Sequence, residues 1–506
     1  MSFNPLTNQY RQVIPRWHTY PMARWLGVTV SSTYDLAEAK EVGVNENYNE
    51  RIFAWESHGK LSHASDLVGN ALVLNRFDDE KAIQAARFIL ESKNKPPKLL
   101  IDVAESFLRI ATREPLPIPD VIIPEEAKSY FGAISSIKAR TREYPRNPVL
   151  WMDLAYYYSA IGVTDAADKA VRIALSLNCE NRYLLRSGAR YFIHRGEPDT
   201  ALHYLRRSST GQYDPWLIAA EVAISDTVDS PSQRIKMAKG LIASQSIPKF
   251  HLSELASALG TIQLKSGAKK KGRKLFDLAL EQPTENALAQ AAFMQNMLGE
   301  HKEKIRPERL PQSFEAQSRL SFRNGDFRVA LREAINWLAY QPFSTAPATF
   351  GSYIAGVALC QFEESIKIAK MGLMSHPRDF MLTNNRAFGL ASLDKIGEAQ
   401  VLLDSIVDAG LSEPNKAVLH ATRGLIEFRK GNILEGRKLY SIAVESFKHL
   451  KDTRSEALAL YFWAREEKSS KSVLANRLSE DALEKAKSLN IKELLIEPPS
   501  GQFHIM

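Results

Sequence analysis

With 506 residues, 44% of them hydrophobic and 25% charged, the chain is ordinary folded material, long enough for several compact domains or one extended repeat array. Its start, MSFNPLTNQYRQVIPRW, lacks a basic stretch followed by an apolar run, and nowhere do about 18 apolar residues stand together as a membrane span requires. A cytoplasmic protein with no membrane partner is therefore expected. The net charge of +8, from 66 Lys plus Arg against 58 Asp plus Glu, is a mild bias over this length and does not by itself make a nucleic-acid binder.

In chain order, the segment IPRWHTYPMARWL over 14–26 comes first, with Arg16 and Arg24 beside Trp17, Tyr20 and Trp25, and two prolines as punctuation. Aromatics with arginine have the composition of interface anchors, so Trp17, Tyr20 and Trp25 form a candidate docking arm for a partner or a second copy. The same segment equally suits an arm that folds back to cap the exposed terminal face of an array. Residues 1–60 are read as this arm with an irregular segment. His58 and His63 are five apart, share no helix face and have no carboxylate pattern beside them, so no metal is expected. DDEKAIQAARFILES and KLLIDVAESFLRIA read as helices, whereas REPLPIPDVIIPEE is a proline-rich connector that cannot be helical throughout. Residues 61–140 thus form an N-terminal helical region.

From Asn147 to Asn178 the apolar positions change character. Trp151, Leu154, Ala155, Tyr158 and Ile161 recur at helical spacing, as do Ala167, Ala170, Val171, Ala174 and Leu175, and the two stripes meet at Gly162. A helical hairpin is predicted, with Gly162 ending the first helix and Thr164 or Asp165 capping the second. Moving on by 34 residues turns Gly162 into Gly196, Ala167 into Ala201 and Val171 into Leu205, which is an internal repeat. The same turn recurs as GAKKKGRKLFDLAL at 267, GDFRVALREAINWL at 325 and GNILEGRKLYSIAV at 431, with weaker copies near 365 and 399. The small residue five positions after each glycine is where two helices cross closely.

These residues resemble the tetratricopeptide repeat (TPR) family. Trp151, Leu154, Ala155, Tyr158, Ala167 and Ala174 match its aromatic, Leu, small, Tyr, Ala and Ala positions, Pro145 sits where its helix-ending proline would, and Leu259, Gly260, Phe276 and Ala279 match in another unit. The resemblance covers roughly 140–490. The unit starting near 216 lacks the turn glycine, and KSSK interrupts the last. It implies an all-α fold: an α-solenoid of TPR-like hairpins in a right-handed superhelix. A first array is placed at 141–300, a joint over 301–312 where two prolines break the period, a second array at 313–490 and a tail over 491–506.

The resemblance also implies a concave groove lined by the first helix of each pair. Projected onto this chain, the groove positions are Met152 and Tyr156, Arg186 and Arg190, then Arg319, Phe322, Arg323, Phe350, Asn384, Phe388, Phe428 and Arg429. Arginine with aromatics on a concave wall suits an acidic or aromatic-bearing protein segment, unless those arginines pair with neighbouring acids such as Glu315. The carboxylate-clamp subclass is disfavoured, since Glu221 stands where Asn is required. Lys269, Lys270, Lys271, Arg273 and Lys274 open a second helix on the outer side, either as a polyanion patch or as a solvated face.

Chemistry is otherwise sparse. There is no phosphate loop, no zinc helix, no nucleophile elbow and no Cys-x-x-Cys pair. The adjacent acids Glu125 and Glu126, and Glu466 and Glu467, read as solvated helix faces, and Cys179 and Cys360, the only cysteines, as small core residues. No catalytic, metal or cofactor residues are assigned. The expectation is a non-catalytic scaffold binding a protein partner, for which a separately encoded effector enzyme is a candidate. The alternative is a helical-repeat nucleic-acid binder, and self-association is open.

Overall fold

The structure, a computed structural model, describes residues 16–17, 44–73, 76–92, 96–111, 127–230, 232–244, 247–299, 304–307, 310, 312–407 and 410–495. Among these residues the regular structure is entirely helical, with no strand, and successive helices pack as neighbouring pairs. The chain is an α-solenoid.

The turn chemistry explains the hairpins. Asn147 caps Pro148–Ala160 through the Val149 amide, with proline in the first helical turn. At its other end Gly162 takes φ +72, and the Val163 amide reaches back to the Tyr158 carbonyl at 2.9 Å, the wrapped C-terminus that a left-handed residue allows. Neither Thr164 nor Asp165 caps the next helix. Thr164–Leu177 begins after Val163 without a side-chain cap, and the Thr164 hydroxyl bonds the Gly162 carbonyl instead. Gly196, Gly267, Gly325 and Gly431 repeat this turn. Where glycine is missing, Asp229, Cys360, Asp394, Lys451 and Lys471 adopt positive φ themselves. The KSSK segment is thus part of the turn between Thr453–Ser469 and Leu474–Ser488 and not an interruption.

Each pair has an inner and an outer helix. The inner Pro148–Ala160, Pro215–Thr227 and Phe380–Ser392 are buried on nearly every side, whereas the outer Thr164–Leu177 and Lys269–Glu281 bury one stripe. Ala167, Ala201, Gly272, Ala330 and Gly436 lie at the crossings, all buried, and a Cβ on Gly272 or Gly436 would overlap Leu264 or Phe428. This is the close approach that the small positions require.

Two regions differ from the reading of the sequence. Val44–His58 is a helix within the stretch read as irregular, and with Leu61–Val73, Glu80–Glu91 and Lys98–Ala111 it shares a core of Tyr48, Leu67, Ile89 and Phe107. Near the expected joint, Glu285–Phe293 packs on both Lys249–Lys265 and Phe314–Asn324. The inner layer therefore passes that point unbroken. It also curls back on itself: the Tyr156 hydroxyl donates to the Tyr340 carbonyl, 184 residues away, at 2.9 Å. Beside this contact Gly162 lies against the Met374 backbone.

Candidate functional site

The inner wall is built from helices whose charged side chains are held by other inner helices. Arg186 reaches both carboxylate oxygens of Glu254 at 3.0 and 2.9 Å, lies 4.5 Å above the Trp216 ring, and shares Glu254 with the Asn286 amide at 3.0 Å. The two charged groups are nearly dry, at 10% and 6% side-chain exposure, so each is the other's main compensation for lost water. Arg319 pairs with Glu315 at 2.9 Å among the rings of Phe293, Trp337 and Phe350. Arg323 donates to the Ala292 carbonyl, to Gln295 at 2.6 Å and to the Phe293 carbonyl at 3.4 Å. It thereby covers the negative end of Glu285–Phe293. Burial, with Arg319 adding to it, brings the Arg323 pKa down to about 10.

Arg429 donates to Glu466 at 2.7 Å and Asp394 at 3.0 Å, and Arg437 holds Glu467 at 2.7 Å. Glu466 and Glu467 are consequently buried acids and not a solvated face, because each meets an arginine from the preceding hairpin. Glu125 and Glu126 lie outside the described residues. Glu221, also fully buried, is gripped by Arg206 at 2.9 Å. The cysteine expectation is likewise corrected: Cys179 is exposed, and Cys360 is half-buried at a left-handed turn where the chain leaves the inner layer.

The aromatic groove positions sit deeper than a free wall would. Met152, Phe322, Phe350, Phe388 and Phe428 are buried core residues, and Phe388 packs edge-on to Phe462 under Arg465. Asn384 is fully buried, with neither amide atom bonded to protein. The projected residues thus fall into separate places. Tyr156 and Arg190 lie where the inner layer meets itself, with Arg319 linked to it through Glu315, which also holds Arg16. Arg323 faces the end of Glu285–Phe293, and Phe322 packs with Phe350 and Tyr353. Asn384, Phe388 and Arg429 lie toward the C-terminal end. Arg190 bonds the Ser344 hydroxyl at 3.2 Å above the Phe343 ring.

Of the arm, Trp17 is fully buried among Phe343, Tyr156 and Tyr191, with ring centres 5.1, 5.5 and 5.9 Å away. Its carbonyl accepts from the Gln341 amide at 2.7 Å, and Arg16 pairs with Glu315 at 3.1 Å. Tyr20 and Trp25 lie outside the described residues. Nearby, the His194 and His376 rings stand 4.5 Å apart. Burial, with His376 and two arginines beside it, pulls His194 down to about 3, and burial also lowers His376.

The outer cluster contrasts with all this. Lys269, Lys270, Lys271 and Lys274 are exposed, with no ion pair among the described residues, while Arg273 is half-buried near Gly299. They occupy the first turns of Lys269–Glu281, which has no acid in its first turn. That is the helix end whose dipole disfavours cations.

Glu254, Trp216, Tyr191, Gln341 and Phe343 went unread from sequence. An acid inside the otherwise apolar inner run HLSELASALG was the one available signal. His58 and His63 do meet, with rings 5.0 Å apart from adjacent helices, but among the described residues no three His, Cys, Asp or Glu gather as metal donors. No described helix is long and apolar enough to cross a membrane.

The chain matches no protein-family model and no curated protein. Over 91% of its length it aligns with 78% of a chain in a solved structure of Naa15/Naa10 bound to HypK-THB, at 13% identity and a TM-score of 0.23. A likeness at that level adds nothing to the fold seen directly.

Proposed function

We propose that this chain is a cytoplasmic, non-catalytic scaffold of the tetratricopeptide repeat type, which holds or regulates a separately encoded effector protein through its inner wall. The observation that supports this reading is that the wall already accommodates non-helical chain: residues 16–17 lie on it with the indole enclosed, the carbonyl bonded and the guanidinium paired. An enclosed ring, a bonded carbonyl and a paired charge together hold a short non-helical segment. Arg186 and Arg429 then serve as framework, since Glu254 and Glu466 take up their charge. Arg319 and Arg323, held by Glu315 and by the Ala292 carbonyl, join that framework, and Tyr156 and Arg190, where the inner layer meets itself, are assigned to partner contact. Asn384, with its unbonded buried amide, is assigned to the same role in the C-terminal half, one helical turn from Phe388.

The exposed outer lysines, without an ion pair among the described residues, favour a second reading, polyanion binding at Lys269–Lys274. Isolation of the tagged full chain from its host, with mass spectrometry and ultraviolet absorbance of the eluate, separates the two. A protein retained in fixed ratio without excess nucleic-acid absorbance is expected, and unaffected by Lys269→Glu with Lys271→Glu. Retained nucleic acid, released steeply by salt and lost in that double variant, would replace the scaffold with the polyanion reading.

A further inference from the structure

The pocket around Trp17 is composite. Tyr156 and Tyr191 come from Pro148–Ala160 and Arg182–His194, whereas Glu315, Gln341 and Phe343 come from more than a hundred positions further along. Trp17 meets Tyr156 and Tyr191 edge-on, at 89° and 82° between ring planes, the arrangement that ring quadrupoles prefer. Glu315 reads the preceding cation, and the Gln341 amide donates to the Trp17 carbonyl, on the far side of the ring from that cation in sequence. An Arg-Trp dipeptide is therefore recognised by charge, by ring and by backbone.

The fit is incomplete. Trp17 Nε1, Arg16 Nε and Arg16 Nη1 are buried without a protein acceptor, while Gln341 Oε1 and the Tyr191 hydroxyl in the same pocket are also unbonded. Buried polar groups left without partners weaken an otherwise extensive contact. Occupancy by the tethered arm is accordingly weaker than its ring contacts suggest. The sequence adds an independent observation: the dipeptide occurs twice in the arm, as Arg16–Trp17 and as Arg24–Trp25.

We infer that this pocket is a receptor for an Arg-Trp segment supplied in trans, and that the arm of a second copy of this chain is the partner it takes. The seated Arg16–Trp17 is the tethered competitor. A ligand on the same chain is present at every protein concentration, whereas a second copy's arm competes in proportion to concentration, so own-arm occupancy prevails when the chain is dilute and arms exchange when copies are concentrated. The inference rests on reading the array as a protein-binding scaffold.

The test uses the full chain and a fluorescein-labelled peptide with the sequence of residues 12–20. Trp17→Ala with Trp25→Ala empties the pocket of its own ligand, and its anisotropy titration should saturate at least about tenfold more tightly than that of the wild type, where the tether competes. The same peptide with alanine in place of tryptophan should not bind. In sedimentation velocity, that double variant (pocket intact, arm disabled) mixed with Glu315→Lys (arm intact, pocket disabled) should form a heterodimer that neither forms alone. Equal peptide affinity for both chains, or no binding to either, overturns the receptor. Peptide binding with a mixture that stays monomeric overturns the second copy as partner. If the double variant loses its helical circular dichroism, Arg16→Glu, which repels the arm from Glu315 and leaves every ring in place, is titrated against the same expectation. A host effector that co-purifies with the wild type while the peptide binds nowhere sinks this inference alone and leaves the scaffold standing.

Discussion

The inner and outer faces of the solenoid carry basic residues under opposite conditions. On the inner face, Arg186 and Arg429 are sunk between helices and matched by Glu254 and Glu466, 68 and 37 positions away. On the outer face, Lys269, Lys270 and Lys271 stand in water at the wrong end of a helix dipole, with no acid in that first turn and no ion pair among the described residues. A basic side chain at a groove position is thus mainly part of the framework, and an unpaired outer one contributes nothing to the fold. Charge on a repeat surface has to be read with its partners from other repeats.

The largest expected effect tests that contrast directly. Arg186→Ala leaves the Glu254 carboxylate buried with only the Asn286 amide, so unfolding by urea should show a loss of about 3–5 kcal/mol. Lys271→Ala should stay within about 0.5 kcal/mol. Similar losses for the two would break the distinction between framework and free charge.

A pair of glycines sharpens the comparison at the turns. Gly162 and Gly196 have φ +72 and +75, but a Cβ on Gly162 meets the Met374 carbonyl oxygen and one on Gly196 meets nothing. Both alanine variants carry the left-handed penalty of about 1–2 kcal/mol, and only Gly162→Ala adds overpacking of about 1–3 kcal/mol. Equal melting temperatures would mean that the inner layer does not close on itself there. Ala167→Phe, at an inner-outer crossing where the residue is 1% exposed, should cost about 1–3 kcal/mol by the same overpacking, while Lys169→Phe on the open side of that helix should be nearly neutral.

The histidine pair gives a pH signature to that closure. The folded state holds His194 and His376 below the ordinary histidine value, so the unfolded chain takes up protons first as pH falls. Their contribution is complete above the unfolded value near 6.5 and declines as pH drops below it toward the folded value of about 3 for His194. The melting temperature should fall between pH 7.5 and 5, and His194→Phe should flatten that slope. Arg190, Arg195 and Asp379 also face the pair, and His376 keeps its own lowered value in the variant, so the flattening should be partial. The smallest effect is expected for Lys269→Glu with Lys271→Glu, whose stability should be unchanged or slightly raised because acid replaces base at a helix N-terminus.

The sequence made the turns and crossings legible wherever glycine or alanine was obligatory, as at Gly162 with Ala167 and Gly431 with Gly436. It was silent where ordinary residues adopt the same geometry: Cys360 and Asp394 take positive φ with nothing local to announce it. Glu466 and Glu467 looked like a wet face because their arginines lie on the preceding hairpin. Trp17 was recognisable as an anchor, but not where it is seated, since its pocket joins residues that only the curvature of the array brings together. Periodicity reports which face of a helix is apolar, and says nothing about which distant helix supplies the counter-charge.

Hydrogen exchange on the full chain, with and without the partner retained from its host, tests the central claim most directly. Inner-wall binding should slow exchange in the inner helices around 153–160, 183–194, 315–323 and 340–344, and leave 269–281 unchanged. Slowed exchange centred on 269–281, with those inner segments unaffected, would contradict it.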